Sequence, residues 1–199
     1  YLKSCIKNFF KLIIQKVLGG FMVDFEKSQT KKNLARAFAG ECQDGARYQF
    51  LAQQAKADNL NYMMGLLKTL ATNEMSHAKV FYDFLLKYGN GNKNIDIEAG
   101  YPYSTYELDP GLKLASVAEE SQFETVYPAF AREARDEGYD DVADQFLRIA
   151  TVEDCHSKQL TELYNKLKKN KLYKEQSAMK WKCSKCGYEE TKKQPDKTC

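Results

Sequence analysis

The sequence predicts an all-α protein: a four-helix bundle with one long crossover connection, followed by a small cysteine-bearing module. Three observations carry this. Four long stretches rich in Ala, Leu, Glu, Lys and Gln repeat apolar residues at steps of three and four. A connection of about twenty residues, long for a helix-to-helix loop, parts the second stretch from the third. The chain's two histidines close the same pattern, Glu-x-x-His, once in the second stretch and once in the fourth.

The first helix is expected over about residues 31–56, capped by Ser28 or Thr30. Its stripe runs Leu34, Phe38, Glu41, Tyr48, Ala52. The second follows Asp58-Asn59 over about 61–87, with Met63, Leu67, Leu70, Glu74, His77, Phe81 and Phe84 on one side. Tyr88-Gly89-Asn90-Gly91-Asn92 stops it. The crossover contains Tyr101-Pro102-Tyr103 and Asp109-Pro110. A third, uninterrupted helix is expected over about 111–137, with Ala115, Glu119, Gln122, Val126 and Phe130 aligned, and Gly138 ends it. The fourth spans about 140–169, with Val142, Phe146, Ile149, Glu153, His156, Leu160, Leu163 and Leu167 aligned. Steps of three and four keep each stripe on one face. Glu41, Glu74, His77, Glu119, Glu153 and His156 therefore all fall on faces that otherwise read as core, where a carboxylate is costly unless compensated.

The two halves match. Glu41 precedes Glu74 by 33 residues and Glu119 precedes Glu153 by 34; Tyr48 lies seven after Glu41 and Tyr127 eight after Glu119. Each half is a helix with one glutamate followed by a helix with Glu-x-x-His. Four carboxylates bring four negative charges, and two ferric ions with an oxo bridge bring four positive ones, so the buried charge cancels. Carboxylates suit iron or manganese and can bridge two ions, while imidazole adds a neutral nitrogen ligand. Zinc would use more cysteine or fewer carboxylates. One Glu from each of two helices with Glu-x-x-His from each of the other two is the ligand pattern of di-iron carboxylate bundles. Cys42 and Cys155 neighbour these positions but point about a quarter-turn away, and read as core filler.

Composition narrows the rest. With 43% hydrophobic and 29% charged residues the chain reads as soluble and globular, and no apolar run is long enough to span a membrane. The net charge of +3 is uneven. Residues 1–21 carry four lysines and no acid, residues 166–199 carry eleven lysines against four acids, and residues 22–165 are left with a net eight negative charges. An acidic body argues against nucleic-acid binding. The lysine-rich tail reads as a solvated linker, and sparse cysteine suggests a reducing compartment.

Both ends depart from the pattern. Residues 1–24 read as a leader. Leu18-Gly19-Gly20-Phe21-Met22 can be encoded TTA GGA GGA TTT ATG, a bacterial ribosome-binding tract before a start codon, so Met22 is expected to be the true start. At the other end, Trp181-x-Cys183-x-x-Cys186-Gly187-Tyr188 is a cysteine knuckle, and twelve residues separate Cys186 from Cys199. Two such pairs make a four-sulfur site for iron or zinc. Three of the four cysteines are present, and truncation before the fourth is the expectation. Domains are expected at 25–169 for the bundle and 181–199 for the truncated cysteine module, with 170–180 a polar linker.

With both signals in this order, the chain resembles the rubrerythrins. The resemblance covers about residues 25–199 and rests on FAGECQDGARY from Phe38, NEMSHAK from Asn73, AEESQFETVYPAFA from Ala118, VEDCH from Val152 and WKCSKCGY from Trp181. It implies a ferritin-like bundle holding two irons, followed by a rubredoxin-like domain with one iron on four cysteines. It further implies a cytoplasmic peroxidase of anaerobic or oxygen-sensitive microbes that reduces hydrogen peroxide to water. Electrons would come through the rubredoxin-type iron from rubredoxin or an NAD(P)H-dependent reductase, in a homodimer or higher homo-oligomer without nucleic-acid or membrane partners. Carried over by motif, the bundle ligands are Glu41, Glu74, His77, Glu119, Glu153 and His156, with Glu74 and Glu153 bridging. Cys183, Cys186 and Cys199 match three rubredoxin-type ligands, and Tyr48 and Tyr127 match hydrogen-bonding partners of the bundle ligands. One position departs: the family commonly has a further glutamate one turn after the third-helix ligand, where this chain has Gln122. That glutamate accompanies an iron that exchanges ligands with the second-helix histidine, so His77 is expected to hold its iron in both redox states here. Rival readings are a ferritin-like oxidase acting on oxygen or ferrous iron, a non-catalytic iron-binding or redox-sensing protein, and a structural bundle with a zinc-binding tail. No glycine-rich phosphate loop is present, so NAD(P)H would act through a separate protein.

Overall fold

The computed structural model describes residues 22–91, 93–103, 105 and 107–196. Residues 1–21 of the expected leader, and Cys199, lie outside them. A 3-10 turn, Phe25–Lys27, leads into α1 (Gln29–Ala57), α2 (Asn61–Tyr88), α3 (Leu108–Ser121), a π-helical segment (Gln122–Val126), α4 (Tyr127–Asp136), α5 (Asp140–Lys168) and the strands β1 (Met179–Lys182) and β2 (Glu189–Lys192).

Of the two capping candidates, Ser28 caps α1, its Oγ accepting from Lys31 N at 3.0 Å. Thr30 serves elsewhere: its amide and that of Gln29 donate to the Glu137 carboxylate, each at 2.8 Å. An acid from the α4–α5 corner thus sits on the positive end of α1. The chain is tied to the bundle two residues before the expected domain start, because Val23 N donates to Glu137 O and Val23 O accepts from the Tyr139 hydroxyl. Asn59, at φ 60°, turns α1 into α2, and Gly138, at φ 90°, turns α4 into α5.

α1 packs along α2, and α3 and α4 pack along α5. The two hairpins meet through α1 against α3 and α4 and through α2 against α5. Their apolar stripes form two separate cores. One holds Leu34, Phe81, Tyr127, Phe130 and Phe146; the other holds Tyr48, Leu51, Met63, Leu67, Leu112 and Leu160. Between them along α1, α2 and α5 lie Glu41, Glu74 and Glu153, so a polar layer is sandwiched between two greasy ones. Phe38, Phe84, Leu167, Gln122 and Val126 were expected in the core and are half-buried, at the edge of their faces.

The third helix is not the uninterrupted α-helix expected. It runs on as one rod, but its middle is a π turn in which Tyr127 N bonds to Gln122 O, five residues back. This explains both sequence offsets. An α-helix turns about 100° per residue, so seven residues fall about 20° short of two turns, while eight overshoot by about 80°. Tyr48 therefore stays on the face of Glu41, and Tyr127 would leave the face of Glu119 unless a wider turn absorbed one residue. The same extra residue makes the second half's Glu-to-Glu interval 34 rather than 33.

β1 and β2 pair antiparallel, Trp181 opposite Glu190, and Trp181 Nε1 donates to Lys192 O at 2.8 Å. The connecting knuckle is closed by Cys183 N to Tyr188 O and Gly187 N to Cys183 O, with Gly187 at φ 79°. The stretch 170–180 is not wholly a polar linker: Leu172 is buried in the second core, and β1 begins at Met179. This small sheet fits a rubredoxin-like module. Among the described residues no helix is long and apolar enough to cross a membrane, and the cysteines form no disulfide.

Deleting Glu124, exposed within the π turn, should convert the third helix to continuous α with Tyr127 still in place. A cooperative melt within a few degrees of wild type is expected. Deleting Ala46, between Glu41 and Tyr48, rotates those two residues apart by about 100° and should abolish the cooperative melt; equal behaviour of the two variants would refute the assignment.

Candidate metal centre

Each lone glutamate comes from the first helix of a hairpin and each Glu-x-x-His from the second, because the halves repeat. The structure brings the six side chains into two overlapping groups: Glu41, Glu74, His77 and Glu153, and Glu74, Glu119, Glu153 and His156. Within each group the candidate ligand atoms lie within 4.8 Å of one another. Glu74 and Glu153 belong to both. Each group is thus one half's complete set plus the other half's shared carboxylate.

The distances show what converges. His77 Nδ1 lies 2.9 Å from Glu153 Oε1, 3.1 Å from Glu74 Oε2 and 3.5 Å from Glu41 Oε2. His156 Nδ1 lies 2.8 Å from Glu153 Oε2 and 2.9 Å from Glu74 Oε1. A single N–H cannot point at three carboxylate oxygens, whereas one cation can be met by all four groups. Glu41 Oε2, Glu74 Oε1, Glu119 Oε2, both Glu153 oxygens and His156 Nδ1 have no hydrogen-bond partner, in glutamates at most 1% exposed. Unsatisfied, inward-facing lone pairs of this kind belong to ligands. Four carboxylates with two imidazoles fit a di-iron site, with Glu74 and Glu153 reaching both positions.

Two phenols complete the layer, crossing between hairpins. The Tyr48 hydroxyl on α1 donates to Glu119 Oε1 on α3, and the Tyr127 hydroxyl on α4 donates to Glu41 Oε1 on α1. Each leaves the other oxygen of its glutamate facing inward. Burial and the neighbouring carboxylates hold both phenols well above their usual range, so they stay protonated donors.

Electrostatics of the ligands alone expresses a need for positive charge. Burial and the surrounding acids push Glu41 and Glu119 well above the usual carboxylate range. On His156 burial acts downward, but the Glu153 and Glu74 carboxylates beside the ring outweigh it and lift the ring to about 9. On His77 burial likewise acts downward, and Glu153, Glu41 and Glu74 together push the ring to about 12. In the ligands alone, protons supply the positive charge that two cations would bring.

Cys42 and Cys155 lie outside both groups. Cys42 is half-buried, but Cys155 is exposed and is not the core filler expected. Cys183 and Cys186 sit on the knuckle between β1 and β2, remote in sequence from the bundle ligands. Gln122 does not point its amide at a ligand: Nε2 donates to Asp44 Oδ2 at 2.8 Å. Asp44 was missed by the sequence reading. It is 3% exposed, and its Oδ1 lies 2.8 Å from Arg47 Nη1. Arg47 Nη2 also donates to Pro102 O on the crossover at 3.0 Å, joined by Gln43 Nε2 at 3.2 Å. The signal was present, since Asp44 lies one turn after Glu41 and Gln122 one turn after Glu119.

The family model for rubrerythrin matches residues 32–108 and 112–193. The chain belongs to the rubrerythrin family. It is 35% identical over 179 residues to rubrerythrin-1 of Clostridium acetobutylicum, covering 89% of this chain and 91% of that protein. It is 34% identical over 172 residues to rubrerythrin of Porphyromonas gingivalis, covering 86% and 84%. Among solved structures, fully reduced, all-ferrous nigerythrin superposes with a TM-score of 0.61 at 25% identity, covering 86% of this chain and 82% of that one. Desulfovibrio desulfuricans bacterioferritin shares the fold at 18% identity, with a TM-score of 0.53 over 72% of this chain and 86% of that one. A rubrerythrin fold on a ferritin-like bundle is therefore common ground between sequence and structure.

Metal loading must displace the protons that the ligands alone hold. Because Glu41, Glu119, His77 and His156 are all raised in the folded chain, the metal-free protein binds extra protons on folding and loses stability as pH rises through the His156 value near 9. The metal-loaded protein has no such protons to lose. The gain in Tm on adding ferrous iron anaerobically should therefore grow from pH 6 to pH 9; a gain that shrinks over that range contradicts the assignment. Tyr48→Phe should lower the loaded protein's stability by about 1.5–3 kcal/mol, the worth of a hydrogen bond to a charged group, measured by denaturant unfolding.

Proposed function

We propose that the protein is a non-haem di-iron peroxidase that reduces hydrogen peroxide to water in oxidative-stress defence. One observation carries the reading: the dinuclear ligand cluster with two shared carboxylates lies in the same chain as a cysteine knuckle of electron-transfer type. A two-ion centre matches a two-electron reduction, and a sulfur-ligated iron in the same chain would be an entry point for electrons that pure storage would not need. When bound, the iron pair supplies the two electrons that cleave the O–O bond.

The residues of this chain do the rest. Glu41, Glu74, His77 and Glu153 would hold one iron, and Glu74, Glu119, Glu153 and His156 the other. Tyr48 and Tyr127 fix the two lone glutamates by one oxygen each, leaving the other free to bind. The two apolar cores exclude bulk water above and below the layer, which strengthens every charge interaction inside it. Gln122, already bonded to Asp44, leaves His77 to hold its iron in both redox states. Cys183, Cys186 and Cys199 would be the ligands this chain brings to the third iron. Rubredoxin or an NAD(P)H-dependent reductase would supply it, in a cytoplasmic homodimer or higher homo-oligomer.

The test is anaerobic stopped-flow absorbance on iron-reconstituted, fully reduced protein mixed with peroxide or with oxygen. Reoxidation by peroxide is expected to be the faster by at least an order of magnitude. Equal or faster reaction with oxygen would replace the peroxidase by an oxidase. Glu74→Ala, which removes a shared ligand, is expected to leave fewer than two irons per chain and no fast phase.

A further inference from the structure

Among the described residues the buried acids are Glu41, Asp44, Glu74, Glu119 and Glu153. Four belong to the metal cluster. Asp44 does not, and the cluster gives no reason to bury it. A carboxylate is kept at 3% exposure only where something compensates it. Here Arg47 does so in part, and Gln122 reaches across from the π turn to hold the second oxygen.

The place of this residue is informative. A cavity of about 370 Å³ lies between α1, the π turn and the crossover, lined among others by Gly40, Asp44, Tyr101, Pro102, Gln122 and Tyr127. Its outer side is the crossover strap, where Tyr101 is 39% exposed and the Pro102 carbonyl is held by Arg47 and Gln43. Its inner side carries Tyr127, whose hydroxyl is bonded to the ligand Glu41. Asp44 and Gln122 therefore line the same cavity as the phenol that holds a metal ligand. The π turn, which absorbs one residue of the third helix, is the element that presents Gln122 there.

We propose that Asp44 is the proton-relay residue of this site, positioned by Gln122 and Arg47 to pass protons from the cavity toward the oxygen being reduced. The inference rests on the peroxide reading. Hydrogen peroxide takes up two electrons and two protons and yields two waters. When the O–O bond breaks, the departing oxygen keeps the bonding pair and needs a proton. The Asp44 carboxyl releases that proton and regains one from water in the cavity. The other polar groups of the layer are ill-suited. The ligand oxygens and imidazole nitrogens would be taken up by the metals, and both phenols are pushed far up as acids.

Asp44 is poised for the exchange. Burial raises its carboxyl to about 6, with Arg47 and the Gln122 amide acting against the rise and Glu74 and Glu153 adding to it. The other groups that face it electrostatically are Glu119 on α3, Tyr48 on α1, Tyr127 on α4 and Tyr101 on the crossover. An acid that releases protons near the working pH is what general acid catalysis requires.

The test compares Asp44→Asn, Asp44→Glu and wild type. For each, irons per chain and the pH profile of peroxide reoxidation are measured on iron-loaded, reduced, full-length protein. The Asp44 carboxyl is also followed by carbon-13 NMR in the zinc-loaded protein. Wild type should slow as pH rises through the Asp44 titration, because the proton donor is lost. Asp44→Asn should keep two irons per chain, react about a hundredfold slower and lose that pH dependence, while Asp44→Glu restores most of both. An Asp44→Asn variant with the wild-type rate and profile overturns the proposal, and so does one that is slow only because it has lost iron. Should wild type ignore peroxide, the peroxidase reading falls by itself. The NMR titration judges the relay separately: a carboxyl that stays ionised down to pH 4 has no proton to release and overturns it, whichever oxidant reacts.

Discussion

Four glutamates buried in one layer of a helical bundle are the constraint from which the rest of this protein follows. Each isolated carboxylate in such surroundings costs several kcal/mol even after relaxation, and like charges in contact add to it. Two cations held by these ligands would remove the cost, and the ligands alone retain protons on Glu41, Glu119 and both histidines. The bundle is thus built around a charge it does not itself contain.

The architecture serves that layer. The apolar stripes of α1, α2 and α5 are interrupted at the same level, so the core divides into two parts that seal the layer from either side. The hairpins are cross-braced by phenol–carboxylate bonds, Tyr48 to Glu119 and Tyr127 to Glu41. These bonds make the position of each ligand in one half depend on the other half. The π turn keeps Tyr127 in register and places Gln122 against Asp44. Function and packing here use the same side chains.

Much of this was legible in the sequence because helical periodicity and ligand spacing obey the same arithmetic. Glu74 with His77 and Glu153 with His156 lie on core faces at steps of three, and a repeat of that pair carries the twofold logic. What was not legible depends on contacts across the bundle. The offsets of 33 against 34 and seven against eight announced an extra residue, but a π turn differs from α only in which carbonyl an amide chooses. Asp44 was passed over because its neighbours Gln43, Gly45 and Ala46 look like surface; only the structure brings Gln122 and Arg47 to it. Cys155 sits beside a ligand in sequence yet faces solvent, since one residue along a helix is about 100° around it. The stretch 170–180 reads as linker by composition, while Leu172, buried in the second core with Tyr173 packed against it, pins it to the bundle.

The most direct test of the central claim is anomalous diffraction from crystals of the iron-loaded protein, collected on both sides of the iron edge. Two iron peaks are predicted in the layer, about 3.5–4 Å apart as in two-metal sites, both within bonding distance of Glu74 and Glu153, one on His77 and the other on His156. A single peak, or iron bound elsewhere while these six side chains remain paired only with one another, would contradict the account.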